Sequence, residues 1–157
     1  MEQPTIETPR LLIRSLQPTD VDGMFALDSN ANVHRYLGNK PLKSKKESAT
    51  IIEAVMKQYK ERGIGRWAMI EKKTDEFIGW TGFKLNIEPV NNHNNFLDLG
   101  YRLREEFWSK GYATESSIAC IDYVFEHWNH NIIYGMAEID NEASNIILNK
   151  KLGMRYA

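Results

Sequence analysis

Hydrophobic and polar residues follow two periods along this chain, and each period indicates one kind of element. The clearest alternation covers residues 96–103, where every second side chain is apolar. The apolar face carries Leu97, Leu99, Tyr101 and Leu103, and the other face carries Phe96, Asp98, Gly100 and Arg102. This pattern predicts a strand. Shorter runs predict further strands at 11–14, 67–70, 77–85 and 132–139.

Apolar residues at helical spacing predict the helices. The first helix starts at Pro18-Thr-Asp20, and the second follows a capping-box sequence, Ser44-Lys-Lys-Glu47, and ends at Gly63. A third helix runs from about Thr114 to Trp128. Asn141-Glu-Ala-Ser144 caps a short fourth helix that ends at Gly153, while Asn-rich and Pro-containing stretches at 30–42 and 88–95 predict loops.

The predicted order is β-α-α-β-β-β-α-β-α. Strands 67–70 and 77–85 form a hairpin, and the third helix makes a right-handed parallel crossover between strands 96–103 and 132–139. This order indicates an α/β (α+β) fold with a mixed sheet. The sequence of 157 residues shows no internal repeat, linker or low-complexity segment, so it predicts a single domain over 1–157.

Composition and charge narrow the class of protein. A net charge of −1 with both signs interspersed gives no reason to expect nucleic acid or an anionic membrane as partner. No apolar run reaches the roughly 20 residues that span a bilayer. The single cysteine, Cys120, excludes an intramolecular disulfide and agrees with a cytoplasmic location. His127 and His130 lack a second pair at metal-ligand spacing, so no metal site is predicted.

The connection from strand 96–103 to the third helix carries the clearest chemical signal. A short polar turn and small residues open the helix, so that backbone N–H groups and the positive end of the helix dipole converge on one point. A diphosphate suits such a turn. The predicted cradle is formed by Ser109, Lys110, Gly111, Tyr112, Ala113 and Thr114. From spacing alone, the alternative that Gly111 only ends a β–α connection remains open.

Four stretches in this order resemble the GNAT acetyltransferase superfamily, in the branch of the Rim-type N-terminal acetyltransferases of ribosomal proteins. They are Thr8-Pro-Arg-Leu-Leu-Ile-Arg14, Phe77-Ile-Gly-Trp-Thr-Gly82, Asp98-Leu-Gly-Tyr-Arg-Leu with Trp108-Ser-Lys-Gly-Tyr-Ala-Thr-Glu115, and Asn141-Glu-Ala-Ser144 with Lys151-Leu-Gly-Met154. The resemblance implies the GNAT fold, a mostly antiparallel twisted sheet with helices on both faces and a splayed cofactor cleft between the fourth and fifth strands.

The resemblance also implies the ligands and the reaction. The ligand of the cradle is acetyl-CoA, whose pantetheine arm hydrogen-bonds near Leu103 and Arg104 and contacts Asn141. The activity is direct transfer of the acetyl group to a primary amine, first a protein or peptide N-terminus and alternatively a small amine such as an amino acid, polyamine or aminoglycoside. Members occur as monomers or homodimers.

Direct transfer needs a neutral amine, for which a carboxylate is the expected base. Asp98 is the first candidate, and the alternative is that it forms an exposed pair with Arg102 on the same face. Glu115 is the second, although an acidic residue in the first turn of a helix also favours the dipole. The resemblance implies that Ser144 lies near the sulfur as proton donor, while Asn and Ser are also preferred N-caps.

Two departures from the family pattern keep another class of function open. The tyrosine that often serves as acid is absent because its position falls near Leu148, and relatives continue beyond Ala157 into a last β-hairpin, which is expected to be missing here. The alternative is an acyl-CoA-binding module without turnover. P-loop and Rossmann nucleotide proteins are disfavoured, because neither glycine signature is present.

Overall fold

The computed structural model describes residues 3–36, 40–87, 96–128 and 133–135. Nine helices and strands lie in these ranges: β1 (Ile6–Glu7), β2 (Leu11–Ser15), α1 (Val21–Asp28), α2 (Lys45–Arg62), β3 (Arg66–Glu71), β4 (Glu76–Asn86), β5 (Phe96–Leu103), α3 (Tyr112–His127) and β6 (Ile133–Gly135). Short 3₁₀ turns occupy Pro18–Asp20, Val33–Tyr36 and Glu105–Phe107.

The six described strands form one sheet in the order β1-β2-β3-β4-β5-β6. Neighbours from β1 to β5 pair antiparallel, and β5 pairs parallel with β6 through Leu97–Ile133, Asp98–Tyr134 and Leu99–Gly135. The mixed, mostly antiparallel sheet predicted from the sequence is therefore confirmed. The two-residue strand β1 is an addition to the predicted order, and the predicted fourth helix lies outside the described residues.

The alternation of side chains along the strands divides the core between the two faces of the sheet. On one face, Met24 and Leu27 of α1 and Ile52 of α2 pack with Ala68 and Ile70 of β3. The other face packs against α3 in a larger cluster that includes Trp67, Met69, Phe83, Leu97, Leu99, Cys120 and Val124. The helices thus cover both faces. Within the described part of the chain, none of the helices combines the length and the apolar content that crossing a bilayer requires.

Both ends of α2 agree with the sequence signals. Ser44 is the N-cap, its side chain accepts the N–H of Glu47 at 3.4 Å, and Gly63 follows the last turn. The carboxylate of Glu47 reaches the N–H of Lys43 at 2.8 Å, so the capping arrangement includes the residue before the N-cap.

Candidate active site

The β5–α3 connection is a fixed turn. The indole N–H of Trp108 donates to the carbonyl of Leu103 at 2.8 Å, and the backbone N–H of Trp108 donates to Glu105 at 3.1 Å. Ser109 and Gly111 both adopt positive φ, at 60° and 83°. The turn therefore leaves β5, reverses twice through left-handed residues and enters α3 directly after Gly111.

The first turn of α3 presents backbone donors. The helix begins at Tyr112, two residues before the predicted start, so the predicted cradle residues Tyr112, Ala113 and Thr114 all lie within its first turn. The first helical hydrogen bond runs from the N–H of Glu115 to the carbonyl of Gly111 at 3.0 Å, and the N-cap Gly111 has no side chain that can accept from the groups in between. These donors and the helix dipole together favour an anion.

The carboxylate of Glu115 is held by residues of the β1–β2 connection. It accepts the hydroxyl of Thr8 at 2.5 Å, the backbone N–H of Arg10 at 3.2 Å and Nε of Arg10 at 2.7 Å. Burial raises the pKa of Glu115, but the hydrogen bonds from Thr8 and Arg10 outweigh that effect and leave the pKa below its ordinary value. Glu115 is thus an ionised and well-partnered group.

Tyr112 is fastened to the sheet beneath the turn. Its hydroxyl donates to the buried carboxylate of Glu71 in β3, and this hydrogen bond lowers the pKa of Glu71 and raises that of Tyr112. The guanidinium carbon of Arg10 lies 4.1 Å from the centre of the Tyr112 ring, and the same guanidinium bonds Glu115. Tyr112 therefore has a structural role, with its ring and hydroxyl both engaged.

The backbone at the end of β5 offers fewer free groups than predicted. The N–H of Arg104 donates to the carbonyl of Ile78 in β4 at 2.9 Å, and the Leu103 carbonyl accepts from Trp108. Because bonded and non-bonded pairs alternate in an antiparallel ladder, the N–H of Leu103 points away from β4. The N–H of Leu103 thus faces the β6 side of the strand, and the backbone N–H of Arg104 is already used by Ile78.

Asp98 is buried on the side of the sheet where α1 and α2 pack. Only 7% of the residue is exposed, and its Oδ2 lies 3.3 Å from Nη2 of Arg66 in β3. The Arg66 side chain crosses β4 and passes over Gly100, where any Cβ would lie 2.8 Å from the guanidinium carbon. The alternative of an exposed pair with Arg102 is wrong, because Arg66 reaches Asp98 across Gly100 and Arg102 pairs elsewhere.

The environment of Asp98 opposes its ionisation. Burial raises the pKa of Asp98, and the charge and hydrogen bond of Arg66 counteract this only in part. The same burial lowers the pKa of Arg66. Oδ1 of Asp98 is buried and has no hydrogen-bond partner among the described residues. Asp98 therefore combines a raised pKa with one carboxylate oxygen that can accept a proton.

Sequence reasoning missed a second polar group on this face. Nη1 of Arg102 donates to Oδ1 of the fully buried Asp28 at 2.6 Å, and Nε2 of His34 lies 3.1 Å from the same oxygen. The Trp80 ring lies between two guanidiniums, 5.2 Å from Arg66 and 4.9 Å from Arg102. The sequence indicates only that strand 96–103 has a polar face that includes Arg102. It does not identify Asp28 and His34 as the groups that meet there.

The segment after α1 is tied to the end of β5. Nδ2 of Asn30 donates to Glu105 at 2.9 Å, and Nδ2 of Asn32 donates to both oxygens of Glu105 at 3.0 Å. Residues 30–32 were predicted only as the beginning of an irregular stretch. Their amides bring the α1–α2 connection next to the turn that leads into α3.

The remaining site predictions separate into described and undescribed residues. Cys120 is buried, and burial raises its pKa to about 12, which agrees with a structural thiol. No group of three or more His, Cys, Asp or Glu side chains that could hold a metal occurs in the described ranges. Ser144, Asn141 and His130 lie outside the described residues.

Known proteins share this sequence pattern and fold. The family described as Acetyltransferase (GNAT) domain matches residues 10–155. The N-acetyltransferase YoaA of Bacillus subtilis is 31% identical over 147 residues, which cover 94% of this chain and 81% of that protein. An acetyltransferase of the GNAT family from Bacillus anthracis superposes with a TM-score of 0.79 at 21% identity, covering 97% of this chain and 84% of that one. The ribosomal alpha-N-protein acetyltransferase RimL in complex with coenzyme A gives 0.78 at 20% identity, with coverages of 94% and 82%.

Proposed function

Because the chain belongs to the GNAT acetyltransferase family, whose members take the acetyl group from acetyl-CoA, we propose that its acceptor is the primary amine at the N-terminus of a protein or peptide. Membership of this family makes the chain an acetyl-CoA-dependent N-acetyltransferase. A small-molecule amine is the alternative acceptor. Two observations bear on the acceptor: a neighbouring fold favours the peptide, and the charges near Asp98 disfavour a polyamine.

RimL, a ribosomal alpha-N-protein acetyltransferase, shares this fold over 94% of the present chain and 82% of its own. On the described face around Asp98, the negative charges of Asp98 and Asp28 do not exceed the positive charges of Arg66, Arg102 and Lys84. A polycationic acceptor, such as a polyamine, would favour a site with excess negative charge. The charge balance here therefore supports an acceptor with a single amine.

The turn at 109–114 would hold the diphosphate of acetyl-CoA, and Lys110 adds a positive charge there. The backbone donors of the first turn of α3 fit this role, since Gly111 places neither a Cβ nor a capping side chain in front of them. The N–H of Leu103 would serve the pantetheine arm, and Arg104 would contribute through its side chain because its N–H is bonded to Ile78. Asn141 is assigned to the same arm.

The general base is assigned to Asp98 rather than Glu115. The observation that carries this choice is the buried Oδ1 of Asp98, which accepts no hydrogen bond from the part of the chain that the structure describes, together with the pKa that burial raises. Glu115 accepts three hydrogen bonds and has a lowered pKa, so it is the weaker base of the two. A base works best when its pKa is close to the working pH.

The acetyl donor supplies a thioester carbonyl whose C–S bond breaks as the new C–N bond forms. Asp98 takes the proton that the attacking amine loses, either directly or through one water. The thiolate that departs takes a proton from Ser144 or from solvent. No covalent intermediate on the enzyme is needed, because donor and acceptor are bound together.

Asp98→Asn tests the assignment of the base. We expect kcat to fall by a factor of about 10² to 10⁴, the usual contribution of a general base, while the Kd for acetyl-CoA stays the same. Activity is followed as thiol release with a panel of N-terminal peptides and small amines, and affinity by calorimetry. Asp20→Asn is the matched control, because Asp20 is also buried and paired with an arginine, Arg14, at 2.9 Å.

The pH dependence of kcat/KM is a second test of Asp98 as the general base. A base must be ionised, so kcat/KM falls as the pH drops through the pKa of Asp98, and burial places this fall above the ordinary value of about 3.9. Full activity of Asp98→Asn would refute the assignment. Binding of acetyl-CoA without turnover of any amine would instead indicate a binding module, and preference for a small amine would replace the proposed acceptor.

A further inference from the structure

We propose that Thr8, Arg10 and Glu115 form a clamp that holds the cofactor-binding turn in its binding conformation, with Glu115 acting as a positioning residue. This inference rests on the proposed role of residues 109–114 in binding acetyl-CoA. The three residues come from the β1–β2 connection and the first turn of α3, which are more than 100 positions apart in the sequence.

The carboxylate end of the clamp is fully engaged. Both oxygens of Glu115 are used, Oε2 by the Thr8 hydroxyl and the Arg10 N–H, and Oε1 by Arg10 Nε. Bonds between an arginine and a carboxylate are charge-assisted and stronger than neutral ones. Because the backbone of Arg10 takes part as well as its side chain, the clamp fixes the position of α3 relative to the sheet.

The guanidinium end reaches the turn itself. Nη1 of Arg10 donates to the carbonyl of Lys110 at 2.8 Å, and Nη2 lies 3.4 Å from the position that a Cβ on Gly111 would occupy. The same guanidinium covers the ring of Tyr112 at 4.1 Å. A single side chain therefore contacts the residues on both sides of Gly111 while it is held by Glu115.

The second half of the turn benefits from such a clamp, because the hydrogen bonds of Trp108 anchor residues 103–108 and not the residues that follow. Ser109 has a positive φ without being glycine, at a cost of roughly 1–2 kcal/mol for an L-residue. The N-cap Gly111 provides no capping side chain. Without the clamp, the turn would occupy other conformations, and ordering it on binding would weaken the affinity for the diphosphate.

Glu115→Gln tests the clamp, since it preserves the shape of the side chain and removes the charge. We expect the Kd for acetyl-CoA, measured by calorimetry, to rise about tenfold and its KM to rise in parallel. At saturating acetyl-CoA, kcat and the KM for the amine should stay within twofold of the wild type. Arg10→Lys keeps the positive charge, but a single ammonium group cannot bond the Lys110 carbonyl and the Glu115 carboxylate as the guanidinium does. This variant should have a Kd for acetyl-CoA between those of the wild type and Glu115→Gln.

Asp20→Asn is again the matched control. The Asp20 carboxylate accepts both an arginine, Arg14, and a backbone N–H, that of Gln17 at 2.8 Å, so it resembles Glu115 but lies away from the turn. If Glu115 only stabilised the fold, Glu115→Gln and Asp20→Asn variants with an equal loss of Tm would lose equal affinity for acetyl-CoA. The clamp predicts that only Glu115→Gln and Arg10→Lys lose affinity for acetyl-CoA.

The outcomes separate the clamp from the function on which it rests. A folded wild type that does not bind acetyl-CoA refutes the cofactor role of the turn. A wild type that binds, with Glu115→Gln indistinguishable from Asp20→Asn, overturns the clamp alone. A fall in kcat at unchanged Kd also overturns it and makes Glu115 a catalytic group. If Glu115→Gln does not fold, Arg10→Lys decides by the same Kd comparison.

Discussion

At the scale of single residues, two carboxylates with the same chemistry have pKa values shifted in opposite directions by their surroundings. Burial raises the pKa of both Asp98 and Glu115. Glu115 receives three donors that reverse the shift. Among the described residues, Asp98 receives a side-chain hydrogen bond from Arg66 on one oxygen and none on the other, and its pKa stays raised. The number of donors that each group meets, rather than its residue type, decides which one can accept a proton.

Gly111 is the residue whose backbone the turn depends on most directly. We expect Gly111→Ala to lower the free energy of unfolding by roughly 1–2 kcal/mol, because its φ of 83° is unfavourable for an L-residue. Among the described residues, the added Cβ would meet only the end of Arg10, at 3.4 Å, so the cost lies in the backbone rather than in a clash. Urea unfolding, with calorimetry of acetyl-CoA, measures the effect.

Ser109→Gly is the control for that prediction. Ser109 already has a φ of 60°, so glycine should relieve strain there and not lower the free energy of unfolding. If Gly111→Ala were as stable as the wild type, the left-handed conformation at the start of α3 would not be required.

At the scale of elements, α2 is specified by local signals. Its N-cap, its apolar spacing and the glycine after its last turn all lie within the helix or next to it. Ser44→Ala should cost about 1 kcal/mol of stability, because it removes the acceptor for the N–H of Glu47. Thr50→Ala, at an exposed position in the same helix, should change stability by less, and neither change should alter the Kd for acetyl-CoA.

The difference between local signals and contacts distant in sequence explains how much of the molecule the sequence predicts. Strand 96–103 and the faces of its side chains are confirmed because the alternation of period two is a local property. The two-residue β1 was not predicted, since two residues carry no periodicity. The alternative that paired Asp98 with Arg102 was wrong, because the actual partner, Arg66, lies 32 positions away and reaches Asp98 over Gly100, a route that depends on the register of three strands.

At the scale of the whole molecule, the two faces of the sheet are built differently. The α3 face is an apolar cluster in which Trp67 meets Phe83 and Tyr123 edge-on, with ring centres 6.2 Å apart. The α1 and α2 face combines a smaller apolar cluster with buried ion pairs around Trp80. The helical layer on this side is therefore joined to β5 by charges as well as by apolar packing.

Asp28→Asn tests how much those charges hold the helical layer. Asp28 is fully buried at the end of α1 and neutralises Arg102, so we expect its loss to cost about 3 kcal/mol in the free energy of unfolding. Asp22→Asn on the same helix is the control. Its pair with Lys45 is exposed, and its loss should cost less than about 1 kcal/mol.

Urea unfolding of both variants measures the difference, and hydrogen exchange in residues 28–36 shows where it arises. Faster exchange there in Asp28→Asn would mean that the pair with Arg102 holds the α1–α2 connection against β5, next to the Asn30 and Asn32 amides that Glu105 accepts. Equal losses in the two variants would mean that apolar packing alone holds this layer. The ion pairs would then have to be explained by what the face binds rather than by stability.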